Sequence, residues 1–129
     1  MYAIDTNIVV RLVVADDRAQ ALRARAFIET RDVSVAATVL LETEWVLRSI
    51  YKRSQREVVA SLRAFISLPH VVAENRTAML QALNWAQAGM EFADAVHLAG
   101  AIDAEGFLSF DRDLAKAAAK LGAPRVEEP

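Results

Sequence analysis

Tyr2-Ala3-Ile4-Asp5-Thr6-Asn7-Ile8-Val9-Val10-Arg11-Leu12-Val13-Val14 is the stretch on which the fold is decided. Tyr2-Ala3-Ile4 has the aromatic and β-branched character of a short strand. From Thr6 to Val14 the apolar residues recur at helical spacing. One acid, Asp5, stands between them, where a strand ends and a helix begins. Working outward, the alternation repeats. Residues 17–29 predict a helix, 33–36 a strand, 38–51 and 55–66 two helices, and 71–73 a strand after Pro69. Asn75 is placed to cap a helix that ends at Gly89. Residues 92–104 predict a helix closed by Gly106, and 107–110 a strand. Residues 111–121 form a last helix stopped by Gly122 and Pro124, and residues 125–127 a weak edge strand.

Strands that alternate with helices imply right-handed crossovers and a parallel sheet covered on both faces. The expected fold is therefore α/β, a three-layer α/β/α sandwich around a central parallel sheet. Ligands of such sheets bind beyond the carboxyl ends of the strands. That rule gives the acids of the chain their meaning.

Length and composition bound the rest. The chain has 129 residues with no repeat or low-complexity linker, which suits a single domain over residues 1–129. Hydrophobic residues make up 54% of it, and the mean hydropathy is +0.19. The chain has no cysteine, which excludes disulfides, thiolate nucleophiles and cysteine-ligated zinc. The early apolar run, residues 8–15, is interrupted by Arg11 and is too short to span a bilayer. The expected location is the cytoplasm, with no membrane partner. Net charge is −2, from 15 basic and 17 acidic residues. Nucleic-acid contact then needs a local patch rather than a basic surface.

Four carboxylates are the candidates for chemistry. Asp5 follows the first strand, and Asp111 follows the strand Phe107-Leu108-Ser109-Phe110. Glu42 lies about one turn into its helix, and Asp94 lies early in its own. Both are acids within apolar helical runs, where a carboxylate is rarely buried unless paired. Gathered at one sheet edge, four such groups would raise each other's pKa. A hard divalent cation relieves that repulsion, because Mg²⁺ takes oxygen ligands and keeps several waters. Held by Asp and Glu, it polarises a phosphoryl oxygen and generates an attacking hydroxide without a His or Cys nucleophile.

Each of these residues also has a plainer role. Asp5 and Asp111 stand where N-caps belong. Thr6, Asn7 and Ser109 can hydrogen-bond ligating carboxylates or simply shape turns. Asp113 is either a fifth ligand or a first-turn acid that favours the helix dipole. Glu44 precedes Arg48 by four residues, an ion-pair spacing. Arg48, Lys52 and Arg56 recur every four residues, with Arg53 beside them, and would form one basic stripe for phosphate contact if the helix continued past Ser54. Otherwise they are a solvated face. His97 and His70 are read as packing and loop residues rather than zinc ligands. Trp45, Tyr51 and Trp85 are assigned to packing.

Four segments together resemble the PIN-domain nucleases, in particular the VapC-type toxins of bacterial toxin–antitoxin pairs. They are residues 2–7, Leu41-Glu42-Thr43-Glu44-Trp45-Val46-Leu47, Phe92-Ala93-Asp94-Ala95-Val96-His97-Leu98-Ala99 and Ser109-Phe110-Asp111-Arg112-Asp113-Leu114. Their order, spacing and total length agree with that family over nearly the whole chain. The resemblance implies RNA cleavage dependent on Mg²⁺ or Mn²⁺, a homodimer, and inhibition by a small antitoxin protein. It carries over Asp5, Glu42, Asp94 and Asp111 as metal-binding acids, with Asn7, Ser109 and Asp113 as supporting residues. The family pattern puts the acid three residues before the aromatic-Val-Leu group, which selects Glu42 over Glu44.

Other classes fit less well. A phospho-acceptor receiver domain needs an acidic pair after the first strand, and here Thr6-Asn7 follows Asp5. Its acceptor Asp belongs after a middle strand, where this chain has Glu74-Asn75. A hydrolase with a nucleophilic Asp wants a second Asp at position 7. A nucleotide-binding domain would need a glycine-rich loop. A module that binds RNA or a protein without cutting is the remaining alternative.

Overall fold

A computed structural model describes residues 1–129, which divide into two compact units, Met1–Arg76 and Thr77–Pro129. In the first unit the chain runs through β1 (Tyr2–Ala3), α1 (Thr6–Val14), α2 (Arg18–Ile28), β2 (Val33–Val35), α3 (Ala37–Ser49), α4 (Gln55–Ile66) and β3 (Val71–Ala73). Its strands form one parallel sheet in the order β1-β2-β3, with Tyr2 opposite Val33 and Val33 opposite Val71. Helix α1 packs on α2 and α3, α3 packs on α4, and α4 packs on β3.

Local sequence explains most of these elements. Asp17 caps α2 by accepting from the Gln20 N–H at 3.0 Å. Ser54 and Glu57 form a reciprocal capping box at the start of α4. Helix α3 turns one face inward, burying Leu40 and Leu47 together with the polar Thr43 and Glu44 at spacings of three and four residues. Val9, Val33, Leu47 and Val58 are fully buried, and Leu62 and Ile66 almost so. Val9 and the apolar residues of the 58–66 segment lie in the core of the chain, because α4 turns its whole apolar face inward. Leu22, by contrast, is exposed.

The second unit contains α5 (Arg76–Gln87, which begins at the boundary), α6 (Phe92–Ala99), β4 (Phe107–Leu108), α7 (Arg112–Leu121) and β5 (Val126–Glu127). Strands β4 and β5 pair in parallel, with Phe107 opposite Val126 and Leu108 opposite Glu127. Helix α7 packs against β5. Gly122 ends α7 in the left-handed region, at φ 69°, where its N–H returns to the Ala118 carbonyl.

The α/β class with parallel strands is as expected. The strands are divided between a three-stranded and a two-stranded sheet, whereas the sequence predicted one central sheet. Helix α6 ends at Ala99, five residues short of its predicted end. Its buried face, Phe92, Ala95, Leu98 and Ala99, has no continuation, since Ile102 is exposed and Asp103 and Glu105 are polar. No helix is long and apolar enough to cross a membrane.

Candidate functional site

The four candidate acids divide evenly, with Asp5 and Glu42 in the first unit and Asp94 and Asp111 in the second. Asp5 sits just beyond β1, after Ile4, whose N–H donates to the Ser34 carbonyl and so continues the ladder with β2. The Asp5 carboxylate accepts from the Thr6 N–H at 2.7 Å and caps α1. Asp111 repeats this arrangement. The Ser109 N–H extends the β4–β5 ladder to the Glu127 carbonyl. The Asp111 N–H donates to Ser109 Oγ at 3.0 Å, and Asp111 Oδ1 accepts from the Leu114 N–H at 3.0 Å, capping α7. Both acids are therefore caps, and both remain exposed. One oxygen of each serves the helix, so the cap role and a ligand role are compatible. The parallel strand sets the carboxylate's position and the helix start holds its rotamer.

Glu42 is exposed on α3, and Asp94 is half-buried in the first turn of α6. The expectation that both lie within apolar faces is corrected by α3. There the buried acid is Glu44, at 6% exposure. It is held by Arg48, whose Nε and Nη2 donate to its two carboxylate oxygens at 2.9 and 3.3 Å. A buried carboxylate requires such pairing, so Glu44 is committed within its own helix while Glu42 is open to solvent. The ion-pair role expected for Glu44 is borne out.

Among the supporting residues, Asn7 and Asp113 are exposed and Ser109 is half-buried. Thr6 is buried and holds Asp5 through its backbone N–H. Asp113 lies in the first turn of α7, where its charge favours the helix dipole. Within neither unit do three His, Asp or Glu side chains come together as one metal-binding group.

The basic stripe does not exist as a helix face. Helix α3 ends at Ser49, Lys52 takes a left-handed φ of 54°, and α4 begins after Ser54. Arg48, Lys52 and Arg56 thus belong to a helix end, a loop and a second helix, and Arg48 is bound to Glu44. The S-x-x-E capping box, which demands a helix start at Ser54, is the physical cause of the break. Trp85 is buried as expected, but Trp45 is half exposed, at 52%. Tyr51 is partly buried, and its hydroxyl donates to Asp16 Oδ2 at 2.7 Å. His97 is exposed rather than packed, and His70 Nδ1 lies 2.9 Å from Asp32 Oδ1.

Two features escaped the sequence reading. Glu74, one residue beyond β3, reaches across 37 positions to accept from the Ala37 N–H at 2.8 Å. It thereby caps α3, whose own N-cap residue, Ala36, has no side chain able to do so. An acid at a third strand end was the available signal. The second feature is a groove of about 820 Å³ beside Asp5, bounded by β1, α1 and α2. Nothing local announces it, because its walls come from three separate segments.

Exposed, helix-capping carboxylates after parallel strands stand where open α/β sheets in general bind ligands, beyond the strand ends. The PIN-domain description matches residues 2–120, and the chain belongs to the PIN-domain family. PIN domains are in general nucleases that use divalent metals. No curated protein matches the chain.

Proposed function

We propose that this chain is an endoribonuclease dependent on Mg²⁺ or Mn²⁺ and the toxin of a type II toxin–antitoxin pair, resembling the VapC-type toxins. The observation that carries the proposal is the matched placement of Asp5 and Asp111. In a PIN-domain chain, each is an exposed carboxylate that follows a parallel strand and is fixed by the cap of the next helix. Asp5, Glu42, Asp94 and Asp111 are the assigned metal ligands, with Thr6, Asn7, Ser109 and Asp113 in support.

The residues present fit such an ion. All four are hard oxygen donors, and none is tied up in a side-chain ion pair, whereas the neighbouring Glu44 is. Mg²⁺ needs only one or two carboxylates and retains water for the rest of its shell. When bound, the ion would polarise a phosphoryl oxygen and supply a hydroxide at neutral pH. The protein's own part is positional. The Thr6 and Leu114 N–H groups hold Asp5 and Asp111 by one oxygen each, which leaves the second oxygen of each carboxylate for a ligand. Ser109 Oγ fixes the backbone at Asp111. The Arg48–Glu44 pair keeps Glu44 out of the reaction and Glu42 the accessible acid of α3.

A toxin of this kind works in the cytoplasm as a homodimer and is silenced by a small protein with a basic segment, since a guanidinium binds a carboxylate through two hydrogen bonds. The exposed Trp45 and Ile50 on and just beyond α3 are surface suited to a subunit contact. The test is cleavage of single-stranded RNA in Mg²⁺ or Mn²⁺ with an EDTA control, alongside calorimetric titration of Mn²⁺. Cleavage that persists in EDTA, or Mn²⁺ binding unchanged in both Asp5→Asn and Asp111→Asn, overturns the proposal. RNA binding without cleavage in any metal leaves the chain a binding module. Co-purification with, and inhibition by, the product of an adjacent small gene tests the toxin assignment.

A further inference from the structure

We infer that the groove bounded by β1, α1 and α2 is a binding track for single-stranded RNA that leads to Asp5, with Tyr2 as a stacking platform and Arg23 as a phosphate contact. The inference rests on the ribonuclease reading and assigns part of its substrate surface. The groove measures about 820 Å³ and takes in Tyr2, Asp5, Asn7, Arg11, Arg23 and Phe27. Its volume is that of a cleft able to enclose a ligand of several rings.

Two chemistries meet in this groove. One is flat and apolar. Tyr2 is 58% exposed although it is an aromatic in the first strand. Its ring meets Phe27 edge-on, with centroids 5.2 Å apart and planes at 81°, and the Arg31 guanidinium lies 4.8 Å from the centre of the Phe27 ring. That contact orients the Tyr2 ring and leaves more than half of the residue uncovered. The other chemistry is cationic. Arg11 and Arg23 line the groove, and Arg23 is exposed on α2, a helix that carries no acid. Arg11 is already engaged by Asp16 at 3.0 Å and by Gln20 at 2.7 Å, so it shapes the wall, and Arg23 is the cation available to a ligand.

A ligand that needs planar stacking, positive charge and access to a metal-binding carboxylate at once is a single nucleic-acid strand with unpaired bases. Base–aromatic stacking tolerates any sequence, and cationic side chains track the backbone. A duplex hides its base faces and gains nothing from Tyr2. Arg23 supplies this groove with a cation that the net charge of −2 does not reveal, and Asp5 is the one acid in the lining. The groove also replaces the broken stripe of Arg48, Lys52 and Arg56.

The test measures binding of a fluorescent single-stranded RNA oligonucleotide in EDTA, where cleavage is off, over a range of salt. Tyr2→Leu should weaken binding about tenfold, and Tyr2→Phe, which keeps the ring, should restore it. Arg23→Gln should lower the slope of log affinity against log salt by about 0.7, the value for one phosphate contact on a single strand. Lys120→Gln, an exposed change at the far end of α7, should leave binding as it is. Circular dichroism confirms that each variant is folded, and Arg23→Gln at an exposed site keeps the test open if Tyr2→Leu is not. Wild-type protein that cuts RNA while the Tyr2 and Arg23 variants bind with unchanged affinity and slope overturns the groove alone. Wild-type protein that neither binds nor cuts RNA overturns the groove and the ribonuclease reading together.

Discussion

Glu42 and Glu44 stand two residues apart on α3 and should fail in opposite ways when each is changed to Gln. Glu44 is 6% exposed and accepts two guanidinium hydrogen bonds from Arg48, at 2.9 and 3.3 Å. A hydrogen bond to a charged group contributes about 1.5–3 kcal/mol. The Arg48 side chain is 45% exposed, however, so water compensates much of what it loses. Gln keeps the volume and one acceptor but not the charge. The net cost of Glu44→Gln is then about 1–2 kcal/mol, which in a chain of this length lowers Tm by roughly 3–8 °C. Glu42 is exposed, and its replacement should alter stability by no more than about 0.5 kcal/mol. Activity should divide the other way. Glu42→Gln removes a proposed metal ligand and should reduce cleavage by orders of magnitude, while Glu44→Gln retains most of it once folded. Urea denaturation and a single-turnover RNA cleavage assay on the same preparations read both effects. If Glu44→Gln is as stable as wild type, the buried-pair argument is wrong. If Glu44→Gln is folded but inactive and Glu42→Gln cuts normally, the wrong acid has been assigned.

Asp5→Asn and Asp111→Asn should both abolish cleavage with the fold intact, because Asn caps a helix about as well as Asp; a thermal melt shifted strongly downward would mean the charge itself holds the structure. Asp16 has its pKa held below the ordinary 3.8, chiefly by the Tyr51 hydroxyl, against a desolvation cost and with help from Arg11. A depressed folded pKa stabilises fully above the unfolded value and ceases to do so as pH falls through the folded one. The stability gap between wild type and Tyr51→Phe should therefore be widest above about pH 4 and close in stronger acid. A gap that does not change with pH contradicts this. Leu47, fully buried in the last turn of α3, should cost about 2–5 kcal/mol as Leu47→Ala, measured by urea unfolding. If the chain is a dimer through α3, Trp45→Ser should yield monomers by light scattering, and an unchanged mass would locate the contact elsewhere.

Much of the fold is legible in the sequence because its signals are short-range. The bounds of α1, α4 and β3 follow from apolar spacing and from caps that act within three residues, such as Asp5 on Thr6 and Ser54 on Glu57. Asp5 and Asp111 stand out for the same reason, since a strand, an acid and a helix start are adjacent in the chain. The end of α6 was overrun because alanines propagate a helix on paper while only burial sustains it.

The sequence by itself determined the order of strands and helices, the parallel α/β class, and the two acids that end strands and cap helices, because those depend on neighbours three or four residues away. Only the tertiary structure decided the rest. It chose Glu44 rather than Glu42 for burial, since the face of α3 that turns inward is set by α1 and α4. It used Glu74 to cap a helix that begins 37 positions earlier. It set Tyr2 and Arg31 each against the Phe27 ring and gathered a groove beside Asp5 from β1, α1 and α2. Such pairings depend on where the sheet register brings distant segments together. That register is fixed by the packing of the whole unit and by no single stretch of the chain.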